Sequence, residues 1–116
     1  MTARILVVDD EVLIAMEIAD NLEANGFEVV GPCQSVSQAL DVLNRPDCCD
    51  AAVLDASLRN ESAQPVALAL LALQVPFVVV SGYSAHQLPD ALAAAPLLTK
   101  PVRADALIAQ LRMMLA

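Results

Sequence analysis

Three acids follow one another at Asp9, Asp10 and Glu11, and a fourth stands at Asp55; Ser81 and Lys100 lie far along the chain. Carboxylates gathered in one place repel: two unit charges 4 Å apart cost roughly 4 kcal/mol at an effective dielectric of 20. A cluster of Asp9, Asp10 and Asp55 therefore calls for a counter-charge. Its all-oxygen ligand set suits Mg²⁺, which keeps several waters and leaves room for a phosphate oxygen. Lys100 supplies a compact positive charge for a carboxylate or an anion. Ser81 supplies a hydroxyl donor, and Gly82 keeps the mouth of such a site open. Together these groups are equipped for in-line phosphoryl transfer, with Asp55 as the carboxylate nucleophile and Lys100 neutralising the transferring group.

Each residue also has a bland reading. Asp9 and Asp10 suit the positive end of a following helix, and Asp55 suits an Asx-turn. Ser81-Gly82 is ordinary turn chemistry, and an isolated lysine is usually a solvated charge. The weight lies in the coincidence, because each of these groups directly follows a stretch that reads as a β-strand.

Five short apolar, β-branched-rich runs alternate with helical patterns. The strands are expected at 4–8 (RILVV), 27–31 (FEVVG), 51–57 (AAVLDAS), 77–82 (FVVVSG) and 96–100 (PLLTK). Unbroken apolar strands are those covered on both faces. The first helix begins near Val12, places Leu13, Met16, Ile18 and Leu22 at three- and four-residue spacing, and stops at Asn25-Gly26. The second has Ser35 or Ser37 as N-cap and ends by Pro46; the third runs over 65–74 with Pro65 in its first turn. Residues 84–95 have helical composition, but Pro89 predicts a short or kinked helix there. The last helix, over 102–115, has Leu107, Ile108, Leu111 and Leu115 on its apolar side. This alternation predicts an α/β fold: a flavodoxin-like three-layer sandwich around a five-stranded parallel sheet of order 2-1-3-4-5. Ligands of such sheets sit beyond the carboxyl ends of the strands, where all the residues named above collect.

Length and composition narrow the possibilities. The 116 residues suit one domain, 58% of them are hydrophobic, and aromatics are only 3%. Six Lys and Arg against 14 Asp and Glu give a net charge of −8, which disfavours nucleic acid as a direct partner. Cys33, Cys48 and Cys49 with a single His86 make neither a disulfide framework nor a zinc site, and read as reduced thiols in a cytoplasmic protein. No signal peptide is expected, and the longest apolar stretch contains Gln74 and Pro76, so no membrane association is expected either. No linker or output domain is expected within the chain.

The motifs VVDDE, VLDASL, VVVSGY and LLTKP resemble those of response-regulator receiver domains (CheY-like), and the likeness runs the length of the chain. The resemblance implies a phosphoacceptor of a two-component system or phosphorelay, with Asp55 taking its phosphoryl group from a histidine kinase or a histidine phosphotransfer protein. It implies that Asp10, Asp55 and the main-chain carbonyl of Ser57 ligate Mg²⁺, with Asp9 acting through water. It also implies that Ser81 and Lys100 contact the phosphoryl group and that a cis bond precedes Pro101. Such a domain is not an enzyme in the ordinary sense, although it assists its own phosphorylation and dephosphorylation. Signalling through altered protein contacts or homodimerisation is expected on the face of the fourth helix, fifth strand and fifth helix.

One position departs from the family pattern: Leu97 stands where receivers usually carry a switch Phe or Tyr, three residues before the lysine. Together with Pro89 and the Gly82-Tyr83 pair, this resembles the FATGUY-type single-domain subset found beside kinases of the HWE class. Tyr83 then either gates the acyl phosphate, taking over part of the switch, or is a loop aromatic. The rival in the same fold is a receiver-like docking module that works without phosphorylation. A haloacid-type hydrolase would need a DxD pattern after the first strand, and a flavin site would need stacking aromatics; the chain has neither.

Overall fold

The computed structural model of the chain describes residues 2–82 and 88–116. Its elements run β1 (Arg4–Val8), α1 (Val12–Ala24), β2 (Glu28–Cys33), α2 (Val36–Leu43), β3 (Ala51–Asp55), β4 (Ser57–Leu58), β5 (Glu61–Ser62), α3 (Gln64–Ala72), β6 (Phe77–Ser81), α4 (Asp90–Ala93), β7 (Leu97–Thr99) and α5 (Ala104–Leu115). The parallel sheet has the order β2-β1-β3-β6-β7, so the expected 2-1-3-4-5 arrangement holds.

Side chains alternate across a strand, and the two faces of this sheet can be read residue by residue. Ile5, Val7, Ala51, Val53, Val78 and Val80 face one core, closed by Ala15, Ile18 and Leu22 of α1 and by Leu107, Ile108 and Leu111 of α5. Leu6, Val8, Ala52, Leu54, Phe77 and Val79 face the other, closed by α2, α3 and Leu92 of α4. The sheet interior is apolar on both sides because both sides are covered.

Several expectations are refined. In α1 the buried positions are Ala15, Ile18, Ala19 and Leu22, an i, i+3, i+4, i+7 stripe. Leu13 and Met16 fall off it and are exposed, Leu13 by 82%. The third strand stops at Asp55 and is followed by the β4–β5 hairpin, whose tip, Arg59-Asn60, has positive φ at both residues. β2 extends to Cys33 past a register shift. There Gly31 has φ +91, and an added Cβ would lie 2.7 Å from the Cys33 amide nitrogen, so only glycine fits. Pro89 is the N-cap of a helix of one turn, so its missing donor fixes where that helix can begin. Among the described residues no helix is long and apolar enough to cross a membrane.

Of the two N-cap candidates for α2, Ser35 takes the role. Its Oγ accepts from the Gln38 amide at 3.2 Å, while Gln38 Oε1 accepts from the Gln34 amide at 2.8 Å. This is close to a capping box. Ser35→Ala is expected to cost about 1 kcal/mol in urea unfolding, with the m-value unchanged.

Candidate functional site

The strand alternation that sorts the core also sorts the charged residues at the strand ends. Asp9 and Glu11 continue the face of Val7, Asp55 continues that of Val53, and Lys100 continues that of Leu98. Asp10 and Ser81 have the opposite parity. Asp9, Glu11 and Asp55 accordingly converge, each offering a carboxylate oxygen within 4.8 Å of the others. Lys100 Nζ lies among them, 3.1 Å from Asp55 Oδ2, 3.2 Å from Glu11 Oε1 and 3.7 Å from Asp9 Oδ2.

Burial makes this cluster electrostatically costly. Asp9 is 1% exposed and Asp55 6%. Asp9 Oδ1 accepts the Glu11 amide at 2.9 Å, but among the described residues Asp9 Oδ2 has no hydrogen-bond partner. Desolvation, and then the Asp55 charge, raise the Asp9 carboxyl to about 6, against the lowering effect of the Glu11 amide and Lys100. For Lys100, burial works against the charged ammonium. The hydrogen bond and charge of Asp55, with Asp9 and Glu11, outweigh it and hold the amine above its ordinary pKa. A buried acid with an oxygen that makes no hydrogen bond among the described residues, facing two further carboxylates, is a donor set that fits a hard divalent cation.

Asp10 is half-buried and turned toward the β4–β5 hairpin, where its Oδ2 accepts the Arg59 amide at 3.0 Å. Ser57, at the start of that hairpin, donates its amide to Asp55 Oδ1 at 3.3 Å. Ser81 is 2% exposed at the end of β6, one residue beyond Val80, the register partner of Asp55. Its carbonyl accepts the Lys100 amide at 3.0 Å, which ties the ends of β6 and β7 together. The Lys100–Pro101 bond is cis, as expected from the family resemblance. Leu97 is half-buried and packs against the core under α3 and α4. Tyr83, expected at the rim of the site, lies outside the described residues. The strand-end rule brought Glu11 to this edge with the other acids but gave it no role of its own; its two-residue offset from Asp9 is the signal that it shares the face of Asp9 and Lys100.

An open parallel sheet with acids beyond the ends of β1 and β3 and a lysine beyond β7 defines a class of signalling domain. The response regulator receiver domain family matches residues 5–112, and the chain belongs to it. The chain is 38% identical to SdrG from Sphingomonas melonis Fr1, covering 99% of this chain and 98% of that one, with a TM-score of 0.81. It is 26% identical to a CheY-like receiver domain from Methylobacillus flagellatus, covering 98% and 99% of the two chains, with a TM-score of 0.82. Over 90 residues it is 27% identical to the transcriptional regulatory protein PdtaR of Mycobacterium tuberculosis, covering 75% of this chain but 42% of that protein. The chain thus spans about two fifths of the length of that curated relative.

Proposed function

We propose that this receiver domain accepts a phosphoryl group on Asp55 from the phosphohistidine of a histidine kinase or histidine phosphotransfer protein, in a Mg²⁺-dependent reaction. The observation that carries the reading is the three-carboxylate cluster around Lys100, with Asp55 at the end of the central strand. Asp9 and Asp55, with Asp10 and the Ser57 carbonyl at the hairpin side, would hold the cation; Glu11 is a further oxygen donor. When bound, the cation would neutralise charge on the transferring phosphoryl group.

The chain's own groups account for the rest. An Asp55 oxygen forms the new P–O bond as the donor's P–N bond breaks, and the imidazole leaves with the electron pair. Lys100, already 3.1 Å from Asp55 Oδ2, follows the negative charge onto the phosphoryl oxygens. The Ser81 hydroxyl, at the end of the strand next to that of Asp55, would donate to one of those oxygens. The added charge of about −1.5 to −2 would then draw both β6 and β7 ends toward the site and change the face made by α4, β7 and α5. Exposed Val12, Leu13 and Met16, next to the site on α1, offer a protein donor an apolar foothold. With Leu97 in place of an aromatic switch, the proposal extends to the FATGUY-type subset, with an HWE-class kinase as donor and output through partner contacts or a homodimer.

The test is intact-protein mass spectrometry after incubation with a small phosphodonor and Mg²⁺. One phosphoryl adduct is expected on the wild type and none on Asp55→Asn or after chelation. Failure of the wild type to gain the adduct would favour the phosphorylation-independent docking module instead.

A further inference from the structure

Two neighbouring thiols lie at the opposite end of β3 from Asp55. The strand between them is five residues long, about 16 Å at the usual rise, so this second location stands apart from the phosphorylation chemistry. Adjacent residues of an extended chain point to opposite sides. Cys48 and Cys49 do not: their Sγ atoms are 3.5 Å apart. Both line one cleft of about 450 Å³, together with Asn44, Arg45, Pro46 and Val75.

The convergence is fixed by the backbone. Asp47 has φ +53, which turns the chain just before the pair. Arg4 then brackets the segment: its Nη1 donates to the Asp47 carbonyl at 2.6 Å and its amide to Asp50 Oδ2 at 2.7 Å, while the Asp50 amide donates to the Arg4 carbonyl at 2.7 Å. The dithiol is therefore held in place before any ligand arrives, which lowers the ordering cost of binding.

We propose that Cys48 and Cys49 form a preorganised dithiol site for a trivalent arsenic species. Bonds of the length zinc makes to sulfur, about 2.3 Å, subtending roughly 100° at a pyramidal centre, place two sulfurs about 3.5 Å apart. The pair supplies two such sulfurs and the cleft leaves the third position open. The reaction is a condensation: two As–O and two S–H bonds break, two As–S and two O–H bonds form, and two waters leave. No oxidation state changes and no co-reactant is needed. Burial, then the Cys48 thiol and the Asp50 charge, push the Cys49 thiol up to about 12. A Cys49 thiol held in its protonated form favours this condensation over capture of a divalent cation, which must displace that proton into the solvent. Disulfide closure would have to bring the sulfurs from 3.5 Å to about 2.05 Å.

The experiment uses the full reduced chain and phenylarsine oxide. One adduct per folded chain is expected by native mass spectrometry, with the count of titratable thiols after denaturation falling from three to one. A pre-formed site also raises Tm, by about 5 °C or more at saturating probe. Cys49→Ser, at a partly exposed position, and Cys48→Ala should each lose adduct and Tm shift, whereas Cys33→Ser should keep both. A fall in Tm would mean that the reagent prefers the unfolded chain, and persistence of the adduct in Cys49→Ser would assign it elsewhere; either result, or no adduct on the folded wild type, overturns the site. None of these readouts depends on Asp55.

Discussion

Replacing Lys100 with methionine is expected to lower the stability of the metal-free protein by about 3 kcal/mol at pH 7.5, the lower end of the range for breaking a buried ion pair. Methionine keeps much of the apolar stem, so the change isolates the charge. Without the ammonium, Asp9, Glu11 and Asp55 face one another with no counter-ion, and the first and last of these are buried. Glu11 is open to water and Lys100 is partly exposed, which keeps the effect from the top of the range. The pH dependence follows from two shifts in the same direction. Lys100 is held above its ordinary pKa, so its stabilising contribution is complete below about 10.5 and is lost only as pH rises past its folded value. Asp9 is held at about 6, so acidification to pH 5 removes one of the repelling charges. The deficit of Lys100→Met in urea unfolding should therefore shrink between pH 7.5 and 5, and added Mg²⁺ should narrow it as well. Equal unfolding midpoints for the two proteins at pH 7.5 would falsify this account of the cluster.

The second large effect has the opposite sign. Asp9→Asn is expected to stabilise the metal-free protein at pH 7.5 by about 1–3 kcal/mol, since one pKa unit corresponds to about 1.4 kcal/mol. A carboxyl whose folded pKa is raised from 3.8 to about 6 favours folding in its protonated form. That contribution is present below about 3.8 and disappears as pH rises through about 6, so at pH 7.5 the wild type carries the cost of a buried ionised acid. Asparagine avoids the cost, keeps an oxygen for the Glu11 amide, and puts a donor where Asp9 Oδ2 has no hydrogen-bond partner among the described residues. The gap should close toward pH 5. Magnesium should reverse the order: the wild type gains stability with each increment of the ion, and the variant gains much less because its affinity is at least about tenfold weaker. A variant that tracks the wild type through the whole titration would remove Asp9 from the cation site.

The opposite signs of these two substitutions show why such a site is legible in sequence only in part. Residue types and their places after strands identify Asp9, Asp55, Ser81 and Lys100, because a parallel sheet delivers its strand ends to one edge. Which of three consecutive acids turns inward is set by strand parity, and parity depends on the register at which β1 hands over to α1. Asp9 and Glu11 consequently meet Lys100, while Asp10 goes to the Arg59 amide. The β4–β5 hairpin escaped the sequence because it has only two residues per strand and its tip uses αL conformations at Arg59 and Asn60, not at glycines. In α1, spacing alone admitted Leu13 and Met16 to the buried face, whereas alanines at 15 and 19 allow the helix to lie close on the sheet and leave those larger side chains outside. The helix after Pro89 was legible as interrupted, and it is a single turn.

That single turn depends on one anchor. Four residues cannot sustain a helix in water without support, and here the support is Leu92, 1% exposed in the core that α2 and α3 close. Cutting that leucine back to alanine would therefore release the whole turn from the sheet, a wider change than the same cut in a long helix such as α5.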